Sequence, residues 1–274
     1  MERIKRAVTI FLAAGLASVC LRAQNSFEAI SIRESKPDST AHVSLQKGRL
    51  SANAPLWVYI TTAWHLMLSR EQIDAMNAPL PKWTSTDKFE INAVAEGTPS
   101  EDQMRLMLQS LLAARFRLKV HFETVQAPVL ALMADKRDGT GPKLRPHSEG
   151  LPCDVHSEVF PPVCEQFTAT GRPNRVILVA ARNVTIGQIA AFMTSLGRMD
   201  RPVVDQTGFH GRFDFSLEFT PTPKGSSLPQ DASVESQGTT FQEAVEEQLG
   251  LKLRATTAAL NTLVVDHVEK PSAN

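Results

Sequence analysis

The most distinctive run of residues that could do chemistry is 201–208, which ends in Asp-Gln-Thr-Gly at positions 205–208. An Asp-x-Thr-Gly segment could supply one carboxylate of the aspartic-protease pair, in which two acids share a proton. The chain has no second Asp-Thr-Gly or Asp-Ser-Gly segment, so that chemistry lacks its other half. Asp side chains also accept hydrogen bonds from amides two residues further on, and Gly supplies positive φ. The segment therefore predicts a turn after a strand.

Histidines are the next candidates, and their spacing does not match a catalytic zinc site. The 7 histidines form no His-x-x-x-His pair and no His-Glu-x-x-His motif, which a zinc hydrolase would need. Asp266 and His267 are neighbours on a predicted strand, so their side chains point to opposite faces and would not meet. A Gly-x-Ser-x-Gly elbow and glycine-rich phosphate loops are also missing. We therefore predict no catalytic residue, no metal ligand and no cofactor, and whether the protein is an enzyme stays open.

Cys153 and Cys164 have ten residues between them in a proline-rich stretch. In an oxidising compartment an isolated pair of cysteines favours a disulfide. A metal site is the alternative, because further potential ligands lie close by: His147, Asp154, His156, Glu158 and Glu165. Structural zinc sites usually have ligand pairs about two to four residues apart, which this spacing does not match. We predict a disulfide that contributes about 2–3 kcal/mol by restricting the unfolded chain.

The N-terminus has the pattern of a secretory signal peptide. Three of the first six residues are basic, residues 7–19 are apolar or small, and Ala23 precedes a polar residue. A membrane anchor needs about 18 consecutive apolar residues, and this run is shorter. We predict cleavage after Ala23, and the large side chain of Val19 argues against lipid attachment at Cys20. The mature chain is therefore expected to be exported to the periplasm or the medium, without a transmembrane span.

The charge balance of the mature chain argues against nucleic acid as a partner. Removal of residues 1–23 takes four of the 29 basic groups and one of the 29 acidic groups, which leaves a mildly acidic chain without a basic run. Nucleic-acid binding needs a clustered positive surface. We therefore expect no nucleic acid to bind, and anionic membrane surfaces are excluded for the same reason.

Apolar periodicity predicts an α+β fold with two duplicated β-α-β-α-β-β units, mainly antiparallel sheets and helices packed on one face. In the first half, strands are expected at 27–33, 49–52, 87–96, 118–123 and 129–134, with helices at 56–68 and after the capping box of Ser100 and Gln103. In the second half, strands are expected at 175–181, 211–219, 251–255 and 260–265, with helices at 185–196 and 241–249.

Two pairs of segments carry the predicted duplication. Residues 50–56 align with 180–186 around a shared asparagine, and 108–124 align with 241–257. Chance similarity of short apolar runs is the alternative, but the order of the elements agrees as well. The predicted organisation is a signal peptide (1–23), a first repeat (24–137), a proline-rich connector with the disulfide (138–173) and a second repeat (174–274). Residues 221–238 are predicted to be an exposed loop inside the second repeat.

Aromatic side chains cluster near the first predicted helix. Trp57, Tyr59 and Trp64 lie on or beside it, and Trp83 follows in a loop. We expect them to pack against the sheet. If some were exposed, they would be the best candidates for a binding surface, because Trp and Tyr dominate interface hot spots.

Five segments together resemble a large paralogous family of secreted proteins from soil acidobacteria, a domain of unknown function. They are 27–32, 111–121, 202–208, 211–215 and 264–271. The likeness covers almost the whole mature chain, and in some members of that family a similar domain is attached to a membrane sensor peptidase. The resemblance implies export and a full-length fold. It implies no particular activity, cofactor or catalytic residue.

These observations favour an exported, non-catalytic binding or interaction module whose protein, peptide or glycan ligand is unknown. Two alternatives stay open: an extracytoplasmic hydrolase with an unrecognised active site, and a sensory domain of a membrane signalling system. Carboxylates and histidines that converge in one deep pocket would favour the hydrolase. A shallow exposed aromatic patch or an open sheet edge would favour binding.

Overall fold

The computed structural model describes residues 26–36, 38–135, 139–196, 199–221 and 239–271. Within these residues the chain forms eleven strands and six helices, mostly in antiparallel sheets, which confirms the predicted α+β class. The chain divides into two units, and the described residues of unit 1 come from 1–66, 76–122 and 263–274, whereas those of unit 2 come from 67–75 and 123–262. The predicted signal peptide and nearly all of the predicted 221–238 loop lie outside the described residues.

The strands are β1 (Ala29–Glu34), β2 (His42–Gln46), β3 (Arg49–Pro55), β4 (Lys88–Val94), β5 (Lys119–Ala134), β6 (Leu144–Pro146), β7 (Phe167–Gly171), β8 (Ile177–Val184), β9 (Val203–Asp205), β10 (Phe213–Phe219) and β11 (Leu251–His267). The helices are α1 (Leu56–Ala63), α2 (Arg70–Asn77), α3 (Trp83–Thr86), α4 (Glu101–Arg115), α5 (Ile186–Leu196) and α6 (Phe241–Leu249).

The sheet of unit 1 has the strand order β1-β4-β3-β2, with every neighbouring pair antiparallel. Apolar residues alternate along its strands, which buries one face: Ile32 lies opposite Ile91, and both side chains are buried. Helix α4 presents Leu108 and Leu112, which are fully buried in the same unit. Alternation of period two and helical spacing therefore bring apolar side chains together, as the sequence pattern requires.

Capping residues mark the start of two helices. At α4, the Ser100 side chain accepts a hydrogen bond from the Gln103 amide at 3.3 Å, and the Gln103 side chain accepts one from the Ser100 amide at 2.7 Å. The predicted capping box is therefore confirmed. Helix α6 begins with the same arrangement, in which Thr240 and Glu243 take the two roles. Each box satisfies amides that have no partner inside the helix.

The main sheet of unit 2 has the order β6-β10-β8-β7, again antiparallel throughout. When the four strands of each sheet are numbered by chain order within that sheet, both sheets place them in the order first, fourth, third, second. A third sheet has the order β11-β5-β9, in which β5 and β9 run parallel. The core of unit 2 includes Val179, Ile189, Phe215 and Leu217, contributed by strands β8 and β10 and helix α5.

Two pairs of predicted strands are each one continuous strand. The expected strands 118–123 and 129–134 belong to β5, and 251–255 and 260–265 belong to β11. Pro128 lies between the two predicted strands of the first pair, where a proline would be expected to interrupt a strand. On the β9 side the pairing covers residues 130–132 only, so Pro128 removes no ladder hydrogen bond on that side. Residues 256–259 contain neither Gly nor Pro, so nothing local interrupts β11.

Strand β2 was not predicted. It is a short edge strand with only two apolar residues, Val43 and Leu45, so its alternation is too brief to indicate a strand. A two-residue turn, Lys47-Gly48, joins it to β3, and both residues have positive φ, at 51° and 73°. Such backbone angles are typical of the tight turn that matches the twist of antiparallel strands. The Lys-Gly pair was the local signal for this hairpin.

Candidate functional site

The Asp-x-Thr-Gly segment forms a turn, as predicted. The Asp205 carboxylate accepts hydrogen bonds from the amide of Thr207 at 2.9 Å and from its hydroxyl at 2.8 Å. Gly208 follows with a φ of +73°. Both hydrogen bonds are accepted by Oδ1 of Asp205 and keep the turn after β9 closed. Asp205 therefore has a structural role.

Asp266 and His267 have separate partners, in agreement with their opposite directions on the strand. The Asp266 carboxylate lies 2.9 Å from Nδ1 of His121, and Nε2 of His267 lies 2.9 Å from the carboxylate of Glu269. The side chains of both pairs are about half exposed. Exposed pairs of this kind contribute little to stability, and Asp266 and His267 do not contact each other as a pair.

The aromatic side chains near α1 pack inside unit 1. Tyr59 is buried, and Trp57, Trp64 and Trp83 are partly buried. The Tyr59 hydroxyl donates a hydrogen bond to the Phe89 carbonyl, and burial raises the pKa of the Tyr59 phenol well above its ordinary value. Trp83 packs edge-on against the Phe89 ring, with ring centres 5.9 Å apart. These contacts support the packing interpretation over a ligand platform.

The predicted cysteine pair is joined: Cys153 and Cys164 form a disulfide with an S–S distance of 2.04 Å. It closes the segment between β6 and β7 in unit 2, which we call the stapled loop (residues 147–165). The loop contains one short 3-10 turn, His147–Glu149, and otherwise has no helix or strand. A segment of this kind depends on specific side-chain contacts to hold its shape.

The side chain of Arg182 holds the backbone of the stapled loop in place. This side chain projects from β8 and is fully buried. The guanidinium donates to the carbonyl oxygens of Pro152 at 2.7 Å, Val155 at 3.0 Å and Pro161 at 2.8 Å, with a longer contact of 3.5 Å to Cys153. A buried cation is expensive unless its donors are satisfied. The loop backbone supplies acceptors for both terminal nitrogens of the guanidinium, whereas Nε is buried without a partner among the described residues.

A buried carboxylate and a histidine meet beside the disulfide. Asp214 lies on β10 and is 1 % exposed. One carboxylate oxygen lies 2.6 Å from Nδ1 of His147 and accepts a hydrogen bond of 3.0 Å from the Asn183 amide. The other ring nitrogen of His147, Nε2, lies 3.7 Å from Sγ of Cys153. The carboxylate thus fixes the orientation of the ring, and Nε2 faces the sulfur.

A β-bulge places Asp214 at this point. Along the β8 and β10 pairing, Phe213 lies opposite Val184 but Phe215 lies opposite Ala181, so two residues of β8 face Asp214. Asn183, one of those two, has a positive φ of 56°. Bulges re-aim side chains next to functional sites. Gly150 covers the carboxylate closely, since a Cβ at this position would lie 2.0 Å from Oδ2 of Asp214.

The ligating atoms of His147, Cys153 and Cys164 all lie within 4.8 Å of one another. The structure therefore brings His147, one of the residues considered for a metal site, next to both cysteines. Glu165 instead pairs with Arg212 at 2.8 Å. In the disulfide the two sulfurs are bonded to each other, so the oxidised form does not offer two thiolates.

Sequence reasoning missed Asp214 and Arg182. The signal for Asp214 was a charged residue between two phenylalanines in the clearest alternating strand, Phe213–Phe219. The signal for Arg182 was its position at the end of the apolar run 177–181. Charged residues are rarely buried without a partner, so both positions pointed to a distant contact whose identity the sequence could not supply.

The stapled loop also exposes apolar side chains. Of the seven large hydrophobic side chains exposed in the described residues, four lie in this loop and are spaced four residues apart: Leu151 at 40 %, Val155 at 39 %, Val159 at 40 % and Val163 at 52 %. The loop contains four carboxylates and no Lys or Arg. Its surface therefore combines apolar groups with negative charge.

Comparison with known proteins gives a family and no activity. Neither the curated proteins nor the solved structures include a match to the chain. Among the described residues, no helix has the length and apolar character needed to cross a membrane. The model of the family described as "Protein of unknown function (DUF3738)" matches residues 58–268, a range that includes the stapled loop, Arg182 and Asp214. The chain therefore belongs to this family of proteins of unknown function.

Proposed function

We propose that the protein is an exported, non-catalytic binding module that recognises another protein through the stapled loop. The observation that carries the proposal is the concentration of exposed apolar side chains there, four of seven in the described residues. Scattered exposed hydrophobic residues are normal, whereas a group of them in one segment marks an interaction surface.

The loop is rigid enough to bind without a large loss of entropy. The disulfide closes it, and the guanidinium of Arg182 fixes the backbone at Pro152, Val155 and Pro161. A segment held in one conformation loses less conformational freedom on binding than a free loop of the same composition. Two independent restraints therefore favour a recognition element over a simple connector.

The charge of the loop indicates the chemistry of the partner. Glu149, Asp154 and Glu158 are exposed in the same loop as the apolar side chains, and no Lys or Arg lies between positions 147 and 165. A complementary protein surface would have an apolar centre with Lys or Arg at its rim, because interfaces pair opposite potentials. A neutral glycan offers no such positive rim. We therefore choose a protein as the partner.

Export is part of the same proposal. It is supported by the signal-peptide pattern of residues 1–23 and by the disulfide, since disulfides persist in oxidising compartments such as the periplasm and the medium. We also propose that residues 24–137 and 174–274 arose by duplication. The order β3, α1, β4, α4 and β5 in the first segment recurs as β8, α5, β10, α6 and β11 in the second, which supports the proposal.

A hydrolase is the second candidate, and the contact of His147 with Asp214 favours it. A carboxylate that orients an imidazole is one part of a nucleophilic triad. The third position, however, is taken by a sulfur of the disulfide, 3.7 Å from Nε2. A disulfide sulfur has no proton to give to the imidazole and cannot attack a carbonyl, so the oxidised protein favours binding over hydrolysis.

The test compares capture by the full mature chain with capture by a loop variant. The Val155→Glu and Val159→Glu double variant replaces two exposed side chains, and each buried valine contributes about 1.5–3 kcal/mol to binding. Proteins are captured from periplasmic and medium fractions, and the affinity of each captured protein is then measured with purified components. The expected result is at least a tenfold loss of affinity in the double variant.

The matched control is Leu106→Glu, an exposed apolar side chain on α4 in unit 1. It should leave capture unchanged, because it lies outside the stapled loop. Equal capture by the double variant and the wild type would contradict the proposal. A failure of the wild type to capture any protein, together with turnover in a hydrolase screen, would favour the second candidate.

A further inference from the structure

We propose that reduction of the Cys153–Cys164 disulfide converts the stapled loop into a zinc site. The ligands would be Nε2 of His147 and the two cysteine sulfurs. Their ligating atoms already lie within 4.8 Å of one another in the oxidised protein. Two thiolates and one imidazole are donors that zinc prefers, and tetrahedral zinc leaves one position for water or another ligand.

The histidine is oriented as a zinc ligand would be. Nδ1 of His147 is 2.6 Å from the Asp214 carboxylate, which leaves Nε2 free toward the sulfurs. Zinc-bound histidines usually donate their other ring nitrogen to a carboxylate or carbonyl, which fixes the ring and its tautomer. Asp214 can fill this supporting position because the Asn183 amide and the packed Gly150 hold it in place.

The loop does not depend on the disulfide alone for its position. Arg182 donates to the carbonyl oxygen of Pro152, just before Cys153, and to those of Val155 and Pro161, inside the segment that the disulfide closes. These bonds remain when the S–S bond is cut. Because Pro152 and Val155 flank Cys153, the thiol stays near His147 after reduction, and Pro161 keeps the segment that leads to Cys164 in place. The main rearrangement is then the separation of the two sulfurs from 2.04 Å to about 3.8 Å, which two Zn–S bonds of about 2.3 Å at a tetrahedral angle require.

The chemistry balances with a dithiol as the reductant. A thiolate of the dithiol attacks one sulfur of the disulfide, and its second thiol completes the exchange, so the dithiol becomes a disulfide and Cys153 and Cys164 become thiols. Zinc then binds both sulfurs and displaces two protons to the solvent. The oxidised protein lacks both thiolates, so binding depends on the redox state.

The experiment uses the full mature chain, once oxidised and once reduced with a phosphine and then freed of reductant without oxygen. Zinc is added, and bound metal is measured after gel filtration. Cobalt is a second probe, because cobalt–thiolate bonds absorb in the near ultraviolet. We expect one equivalent of zinc and the cobalt–thiolate absorption in the reduced chain, and neither in the oxidised chain.

Three variants locate the site. His147→Ala should weaken zinc binding strongly, and Asp214→Asn should weaken it about 10- to 100-fold through loss of the supporting carboxylate. His156→Ala is the matched control, since His156 is an exposed histidine of the same loop and should bind zinc as the wild type does. Circular dichroism of each reduced variant shows that the fold is kept.

Two outcomes would overturn the zinc site. One is a reduced wild-type chain that binds no more zinc than the oxidised chain. The other is equal affinity in the His147→Ala and His156→Ala variants, which would show that the cysteines bind metal without His147. Neither outcome bears on recognition by the exposed apolar side chains, because those side chains are not ligands.

Discussion

Replacement of Arg182 by methionine tests how the stapled loop is held. The change keeps a long apolar stem but removes the donors that reach Pro152, Val155 and Pro161. The Pro161 residue is buried, whereas Pro152 and Val155 are exposed. Only the Pro161 carbonyl would therefore lose its donor without easy access to water.

The magnitude follows from these three bonds. A hydrogen bond from a charged donor contributes about 1.5–3 kcal/mol, and a buried acceptor left without a partner costs about 1–3 kcal/mol. The lost hydrogen bond at the Pro161 carbonyl is not replaced. The exposed carbonyls of Pro152 and Val155 regain part of the lost energy by binding water. Relief from burying the guanidinium offsets some of the total. We expect Arg182→Met to lower the free energy of unfolding of unit 2 by about 2–4 kcal/mol.

Urea unfolding followed by circular dichroism measures the loss, and limited proteolysis measures opening of the loop. Cuts within residues 153–164 keep the chain joined by the disulfide, so they are seen only on reducing gels. The control Arg172→Met changes an exposed arginine of the same unit and should shift stability by less than about 0.5 kcal/mol. If Arg182→Met behaves like this control in both assays, the loop is not held by the buried guanidinium.

Three further results are expected from contacts elsewhere in the chain. Replacement of Cys153 and Cys164 by serine should lower stability by about 2–3 kcal/mol in thermal unfolding, and an equal stability of wild type and variant would exclude a stabilising disulfide. Thr240→Ala should cost about 1 kcal/mol because α6 loses its cap, whereas Thr240→Ser should restore most of it in urea unfolding. The hydrogen bond from Lys270 holds the pKa of Asp87 below its ordinary value, so its stabilising effect is present above about pH 4 and lost as pH falls through the lowered pKa. Lys270→Met should thus reduce stability at pH 7 and approach the wild type near about pH 2; a difference that persists in acid would point to packing instead.

Local features of this fold could be read from the sequence. The capping box at Ser100 depends on residues three apart, and the turn at Asp205 depends on residues two to three apart, so both were predicted. The disulfide was also predictable, because only two cysteines remain after the predicted signal peptide. In each case the residues that make the contact are close in sequence or few in number, which leaves little ambiguity.

The site beside the disulfide could not be read in the same way. His147 and Asp214 are 67 residues apart, and Arg182 reaches carbonyls 21 to 30 residues away. Alternation along the strand predicts that Asp214 points to the other face of the sheet from Phe213 and Phe215. It does not show whether other residues cover that face. The cover comes from the loop itself, whose path depends on the arginine. The burial of Asp214 depends on the path of the loop, and that path depends on Arg182. No short stretch of sequence contains all three.

The chain order of unit 1 has a consequence for folding during synthesis. Its residues include 263–271 from near the end of the chain, where the Glu269 amide donates to the Phe116 carbonyl at 2.7 Å and Lys270 bonds Asp87. Unit 1 begins first but cannot complete these contacts until residues 263–271 have been synthesised. Most of unit 2, residues 123–262, is synthesised as one uninterrupted stretch. A chain that stops just before residue 263 would contain all of unit 2 and would lack the last segment of unit 1.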